Sequence, residues 1–207
     1  MQIKNPLLSY AYKIILLGAV SAGLYLSVFD YGKGFSALSL RYFTIQSNIL
    51  VALALLYLLF SRESSRVRPI VRGSVLLSIL ITGLVFHLLL RPQMGVYFAG
   101  GIDLANHLTH TAAPLGFLLD WILFDRKGRM QRAHLPFWTA FPLLYWLCSI
   151  LVGAKTGFYP YFFMDIGKLG YGGALIWLAV LSAVFLLIGL LLIGLDRLLN
   201  RRIPAEK

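Results

Sequence analysis

The sequence predicts an all-α integral membrane protein, a single domain over residues 1–207 built as a six-transmembrane-helix bundle with cytoplasmic N and C termini. Three observations carry that prediction. Hydrophobic residues make up 59% of the chain and charged residues 13%, against about 25% charged in an ordinary soluble domain; the mean hydropathy is +0.78. Six apolar runs approach the roughly 20 residues that a helix needs to cross a bilayer. Basic residues are dense in alternate loops, the usual mark of membrane orientation.

The first run, residues 12–29, follows Lys4 and Lys13 as a signal peptide would. No small-residue cleavage site comes after it, so it reads as a retained span. Further runs cover 43–60, 71–90, 106–124, 136–154 and 171–195, with loops too short for a second domain. Fourteen of the 19 Lys and Arg residues fall in the N-terminal segment, the second-to-third loop, the fourth-to-fifth loop and the C-terminal tail. That excess assigns those segments to the cytoplasm, in the inner or plasma membrane if the cell is bacterial.

The net charge of +11 therefore points to topology and to anionic lipid headgroups on the cytoplasmic face. It does not point to nucleic acid, because no basic soluble domain carries it. Cys148 is the sole cysteine, which excludes an intramolecular disulfide and a cysteine-based metal cluster; its apolar run predicts a buried small hydrophobe. The aromatic run 158–163, Tyr97 and Phe98 read as the outer interfacial belt, and Trp121, Phe137 and Trp138 as the inner one. The rigid loop around Pro160 also suits a partial lid over whatever lies beneath it. Asp120 is the main polar residue in the cytoplasmic half and is expected to snorkel to the adjacent loop.

Orientation sorts the remaining polar residues by depth. Thr44, Ser47 and Asn48 open the second span, His87 lies about one turn from the end of the third, and 106–111 open the fourth. At 1.5 Å per residue, all fall within roughly 10 Å of the outer interface. Thr44, Ser47 and Asn48 share one helix face, with Arg41 a turn outward. Asn106 and His110 form an i, i+4 pair, as do His107 and Thr111. Pro114 cannot donate to the His110 carbonyl and predicts a local break in the helix. Ionisable groups at such depth are costly and read as functional.

Three chemistries fit this cluster. A threonine hydroxyl needs an adjacent base to act as a nucleophile; a buried, neutral histidine can supply it, and Thr44 and His110 stand at matching depth. Asn48 or Asn106 would then donate to a developing oxyanion. Alternatively, His87, His107 and His110, with Asp103, supply enough ligands for a zinc ion that activates water. The bland reading is interhelical glue, to which Ser47, Thr109, Thr111 and Gln46 belong first. A haem is disfavoured, since the histidines form one layer, and the Thr–His reading needs no cofactor.

Arg41-Tyr42-Phe43-Thr44, Asn106-His107-Leu108-Thr109-His110-Thr111 with Pro114, and Tyr159-Pro160-Tyr161-Phe162 resemble the androgen-induced protein / FAR-17a-like family. Those are six-span threonine hydrolases of fatty acid esters of hydroxy fatty acids, and the likeness is nearest to their bacterial six-span relatives. The resemblance implies Thr44 as nucleophile and His110 as its base, with Arg41 where the family has a basic residue able to meet a substrate carboxylate. After Thr44 this chain continues Ile-Gln-Ser-Asn, more polar than the animal members. The expected function is therefore intramembrane hydrolysis of a lipid ester near the outer leaflet, with Thr44 and His110 catalytic. Arg41, Asn48, His87, Asn106, His107 and Tyr159 are expected to bind or support. A His-ligated metallohydrolase, or a non-catalytic lipid-binding or transport protein, are the alternatives.

Overall fold

The computed structural model describes residues 3–30, 34–61, 65, 67–93 and 104–201. The described residues are all-α apart from a two-stranded antiparallel hairpin pairing Phe29–Asp30 with Gly34–Phe35. Helix α1 spans Pro6–Val28 and starts ahead of its apolar run, because the Asn5 side chain caps it by accepting the Leu8 N–H and Pro6 fits its first turn. Helix α2 is Phe43–Phe60 and α3 is Arg68–Val85, which runs on through a π-turn at Phe86–Leu90. The fourth element is divided: α4 (Leu104–His107), a π-turn at Leu108–Ala112, and α5 (Ala113–Phe124). Helix α6 is Leu135–Thr156 and α7 is Ile166–Arg201. Gly170, at φ 65°, breaks α7 near its start; a side chain there would strain the backbone, and the sixth apolar run begins at the next residue.

Five helical stretches are long and apolar enough to cross a membrane: Pro6–Val28, Phe43–Phe60, Arg68–Gln93, Arg132–Thr156 and Ile166–Arg201. Residues 104–124 are helical, as the sequence predicts, but are not among the five. Their opening turns carry Asn106, His107, Thr109, His110 and Thr111, and the π-turn interrupts the α-helix. Leucines such as Leu144, Leu187 and Leu191 face outward at 57–62% exposure, as lipid-facing residues do.

Helix α3 lies at the centre, packed against α2, α5, α6 and α7, and is the most buried of the long helices. The core joins Val51 and Leu55 of α2 to Leu76, Leu77 and Ile79 of α3, Phe117 and Trp121 of α5, and Trp138 of α6. Trp121 and Trp138 are thus core residues at 1% and 0% exposure, not an interfacial belt. Gly73 makes this fit, since any Cβ there would overlap the Trp138 indole. Cys148 is exposed rather than buried, because α6 packs through one face and Cys148 lies on the other.

The start of α1, the end of α2, the start of α3, the end of α5 and the start of α6 meet at one end of the bundle, here the basic end. Asp120 does not snorkel there. It is fully buried, paired with Lys13 at 2.8 Å and with Arg72. Arg72 also binds Asp125 at 2.8 Å, and Arg68 binds the same carboxylate at 3.1 Å. Two residues that read as topology signals, Lys13 and Arg72, are therefore the internal partners of Asp120. Burial alone would raise the Asp125 carboxyl, but the Arg72 and Arg68 guanidiniums hold it at about 2.

Removing one partner of a buried charge cluster leaves the others uncompensated, at about 3–5 kcal/mol. Asp120→Ala is accordingly expected to lower the thermal unfolding midpoint in detergent far more than Lys168→Ala, whose side chain is 81% exposed and lies 3.6 Å from Asp165. Because the folded Asp125 pKa is depressed, its contribution is in place above about pH 4 and is lost as pH falls towards 2; unfolding midpoints measured across that window would show it.

Candidate functional site

The opposite end of the bundle holds the polar cluster, and the two π-turns build it. Each carries one histidine of interest: His87 in Phe86–Leu90 and His110 in Leu108–Ala112. A π-turn inserts an extra residue and re-aims the side chains around it; the second lies just ahead of Pro114, where the sequence predicts a break. Two glycines let neighbouring helices close on it. A Cβ at Gly23 of α1 would sit 2.9 Å from Leu108 Cβ, and one at Gly83 of α3 would sit 3.0 Å from the His110 carbonyl oxygen and 3.2 Å from Pro114 Cγ.

Thr44 Oγ1 lies 3.1 Å from His110 Nε2. The other ring nitrogen fixes the proton arrangement. His110 Nδ1 is 3.3 Å from the Asn106 carbonyl oxygen, which can only accept, and 3.0 Å from Thr109 Oγ1. Thr109 spends its own proton on the Ala105 carbonyl at 2.8 Å. Nδ1 therefore bears the hydrogen, and Nε2 presents its lone pair to the Thr44 hydroxyl. The ring is stacked against Phe86, centroids 3.9 Å apart and planes 19° from parallel, and His110 is 8% exposed.

Tyr161 completes the group from the loop before α7. Its hydroxyl oxygen accepts the Thr44 backbone N–H at 3.4 Å and lies 3.5 Å from Thr44 Oγ1. Burial raises this phenol above its ordinary value, so it stays protonated and keeps a hydrogen to donate. Tyr145 of α6 supports the same turn: it accepts the Phe43 N–H at 3.1 Å and donates to the Arg41 carbonyl at 2.9 Å. Free N–H groups at the start of α2 are thus met by two tyrosines.

Thr44 and Tyr161 stand on the wall between two cavities. One is open, about 410 Å³, and lined by Thr44, His110, Asn106, Thr109, Phe86, Tyr42 and Pro160 among others. The other is apolar, about 40 Å³, and reaches inward between α3, α6 and α7. Pro160 borders the open cavity and also the groove on the α6 face.

Several expected members take other places. Asn48 is fully buried, and its side-chain N–H groups go to the Thr44 carbonyl at 2.8 Å and the Thr109 carbonyl at 3.1 Å. Both hydrogens are committed, so Asn48 braces α2 against the π-turn and is not an oxyanion donor. Ser47 ties α2 to Thr82 of α3 at 2.7 Å, in the glue role. His87 Nε2 meets Thr111 Oγ1 at 3.0 Å, and His107 is exposed. Among the described residues, no three His, Cys, Asp or Glu side chains gather as a metal ion requires, so His87, His107 and His110 do not converge; Asp103 lies outside the described residues. The Arg41 side chain lines a separate groove on the α6 face, stacked over Phe158 at 5.6 Å. Tyr159 packs over Gly153, and the tyrosine that reaches Thr44 is its neighbour Tyr161. The sequence does not separate the two tyrosines, because an irregular loop has no periodicity to set which way a side chain faces.

No protein family, no curated protein and no solved structure matches the chain.

Asn48→Leu would remove the tie between α2 and the Thr109 carbonyl, while the Thr44 carbonyl keeps the Ser47 hydroxyl at 3.1 Å; losing the buried bond is expected to cost about 1–3 kcal/mol. A drop in the unfolding midpoint is expected, larger than for Gln46→Leu, whose hydrogen bond to the Leu40 carbonyl is exposed.

Proposed function

We propose that the protein is an intramembrane lipid ester hydrolase in which Thr44 is the nucleophile and His110 its general base. The observation that carries this reading is the 3.1 Å contact between Thr44 Oγ1 and His110 Nε2, with Nδ1 tied down behind it. A hydroxyl, a base and a group orienting the base form the arrangement that activates a weak nucleophile. In the first step, Thr44 Oγ bonds to the ester carbonyl carbon while its proton passes to His110 Nε2. The carbonyl oxygen becomes an oxyanion, and the Tyr161 O–H is the nearest side-chain donor for it. The carbon–alcohol bond then breaks, and the alcohol departs with the proton from His110. Water enters through the open cavity, gives a proton to His110 and releases the carboxylic acid, restoring the Thr44 hydroxyl.

The likeness to the six-span threonine hydrolases supports the same pair of residues, and the protein is read as a bacterial-type relative of that family. In this reading residues 104–124 form a sixth span, both termini are cytoplasmic, and the site opens towards the outer leaflet of the cell membrane. The basic end then faces anionic lipid headgroups on the cytoplasmic side. Lipid esters reach the site laterally or from the outer interface, and no cofactor takes part.

A fluorophosphonate probe tests this. Labelling is expected at Thr44, unaffected by chelator, and lost in both Thr44→Ala and His110→Ala, with ester turnover falling about a thousandfold or more in each. Chelator-sensitive turnover that survives in Thr44→Ala would favour a metal-dependent hydrolase instead. Absence of both labelling and turnover would leave lipid binding or transport.

A further inference from the structure

We infer that the groove on the α6 face binds a phospholipid whose headgroup carries no amine. Its apolar length takes one acyl chain, and Arg41 takes the phosphate. This binding stands apart from the hydrolase reading above and does not rest on it.

Six residues of α6 line the groove: Phe141, Leu144, Tyr145, Cys148, Ser149 and Val152. They fall at i, i+3, i+4, i+7, i+8 and i+11, a single helix face. At 1.5 Å per residue that stripe runs about 16 Å along the helix axis. Leu144, Cys148 and Val152 are exposed, so a bilayer lays hydrocarbon against them. The Tyr145 hydroxyl is already committed to the Phe43 N–H and the Arg41 carbonyl. The groove is open along its side, so it aligns a chain lengthwise and sets no limit on its length.

A positive charge marks one end of this stripe. Phe158 follows the end of α6, and the Arg41 guanidinium lies 5.6 Å from the centre of its ring. At the opposite end of the bundle, Lys13, Arg68 and Arg72 each hold a carboxylate within 3.1 Å. Arg41 holds none among the described residues, and no acidic side chain lines the groove. An elongated apolar surface that ends on one such cation complements an amphiphile with one anionic head. Arg41 stands two residues ahead of α2, one of the candidate spans, and so at headgroup level. The phosphodiester is the anion a bilayer supplies there, and a guanidinium binds phosphate through paired N–H donors. A choline or ethanolamine headgroup would bring a second cation beside Arg41, with no carboxylate to meet it. Pro160 borders both this groove and the open cavity, so the lipid lies next to Thr44 and His110 without entering their cavity.

Cys148 is the sole cysteine and lies in the groove, so its alkylation reports occupancy there and not at the basic end. The rate with N-ethylmaleimide would be measured on purified protein in dodecylmaltoside micelles. Phosphatidylglycerol, phosphatidylcholine or palmitate would be added at equal mole fraction. Phosphatidylglycerol is expected to slow alkylation about tenfold more than phosphatidylcholine does, the worth of a charge-assisted hydrogen bond. Arg41→Gln, at an exposed position, is expected to abolish that difference and leave the rate without lipid unchanged. Arg41→Lys keeps the charge and is expected to keep part of the difference. Equal slowing by the two phospholipids, or a preference that survives Arg41→Gln, would overturn the role of Arg41. No slowing by any lipid would overturn the site. Stronger slowing by palmitate than by phosphatidylglycerol would overturn the phospholipid in favour of a fatty-acid carboxylate. Each of these outcomes is read independently of Thr44 labelling by the fluorophosphonate.

Discussion

A single hydrogen bond, from the Thr44 hydroxyl to His110 Nε2, depends on much of the bundle around it. Thr44 belongs to the first turn of α2, where backbone N–H groups lack helical partners, and Tyr161 and Tyr145 meet two of them from distant parts of the chain. His110 belongs to a π-turn, which is tolerated because Gly23 and Gly83 allow α1 and α3 to press against it. Asn48 then ties one element to the other through both carbonyls. In a low-dielectric interior every such group must be met, and here meeting them also fixes the distance between a hydroxyl and an imidazole.

The two ends of the bundle divide the labour. At the basic end, Lys13, Arg68, Arg72, Asp120 and Asp125 form a continuous buried cluster that joins α1, α3 and α5. Such a cluster contributes little net stability over an apolar core, but it penalises any packing that separates its members. It thereby fixes the register of the same helices that carry Gly23, Gly83 and His110 some turns away. The site end can then be built from two π-turns, held against a rigid frame.

Much of this was legible in the sequence. The apolar runs marked the helices well, and α2 begins and ends where its run does. Shared depth and helical spacing brought Thr44 and His110 together, and Pro114 announced the break beside His110. What was not legible depends on pairing across distant segments. Lys13 and Arg72 look like orientation charges until Asp120 is seen between them. Tyr161 could not be told from Tyr159, because periodicity gives no facing rule in an irregular loop. Trp121 and Trp138 sit near span ends, where tryptophan commonly marks an interface, and only the packing places them in the core. Residues 104–124 lost apolarity to the very side chains that make the site.

The claim at the centre is that His110 holds its proton on Nδ1 and offers Nε2 to Thr44. Nitrogen-15 solid-state NMR of histidine-labelled protein in bilayers reads this directly, with the His110 signals assigned by difference against His110→Gln. The account predicts a protonated Nδ1 and an unprotonated, hydrogen-bonded Nε2 whose resonance moves in Thr44→Val. A proton on Nε2, or a His110 spectrum indifferent to Thr44→Val, would contradict it.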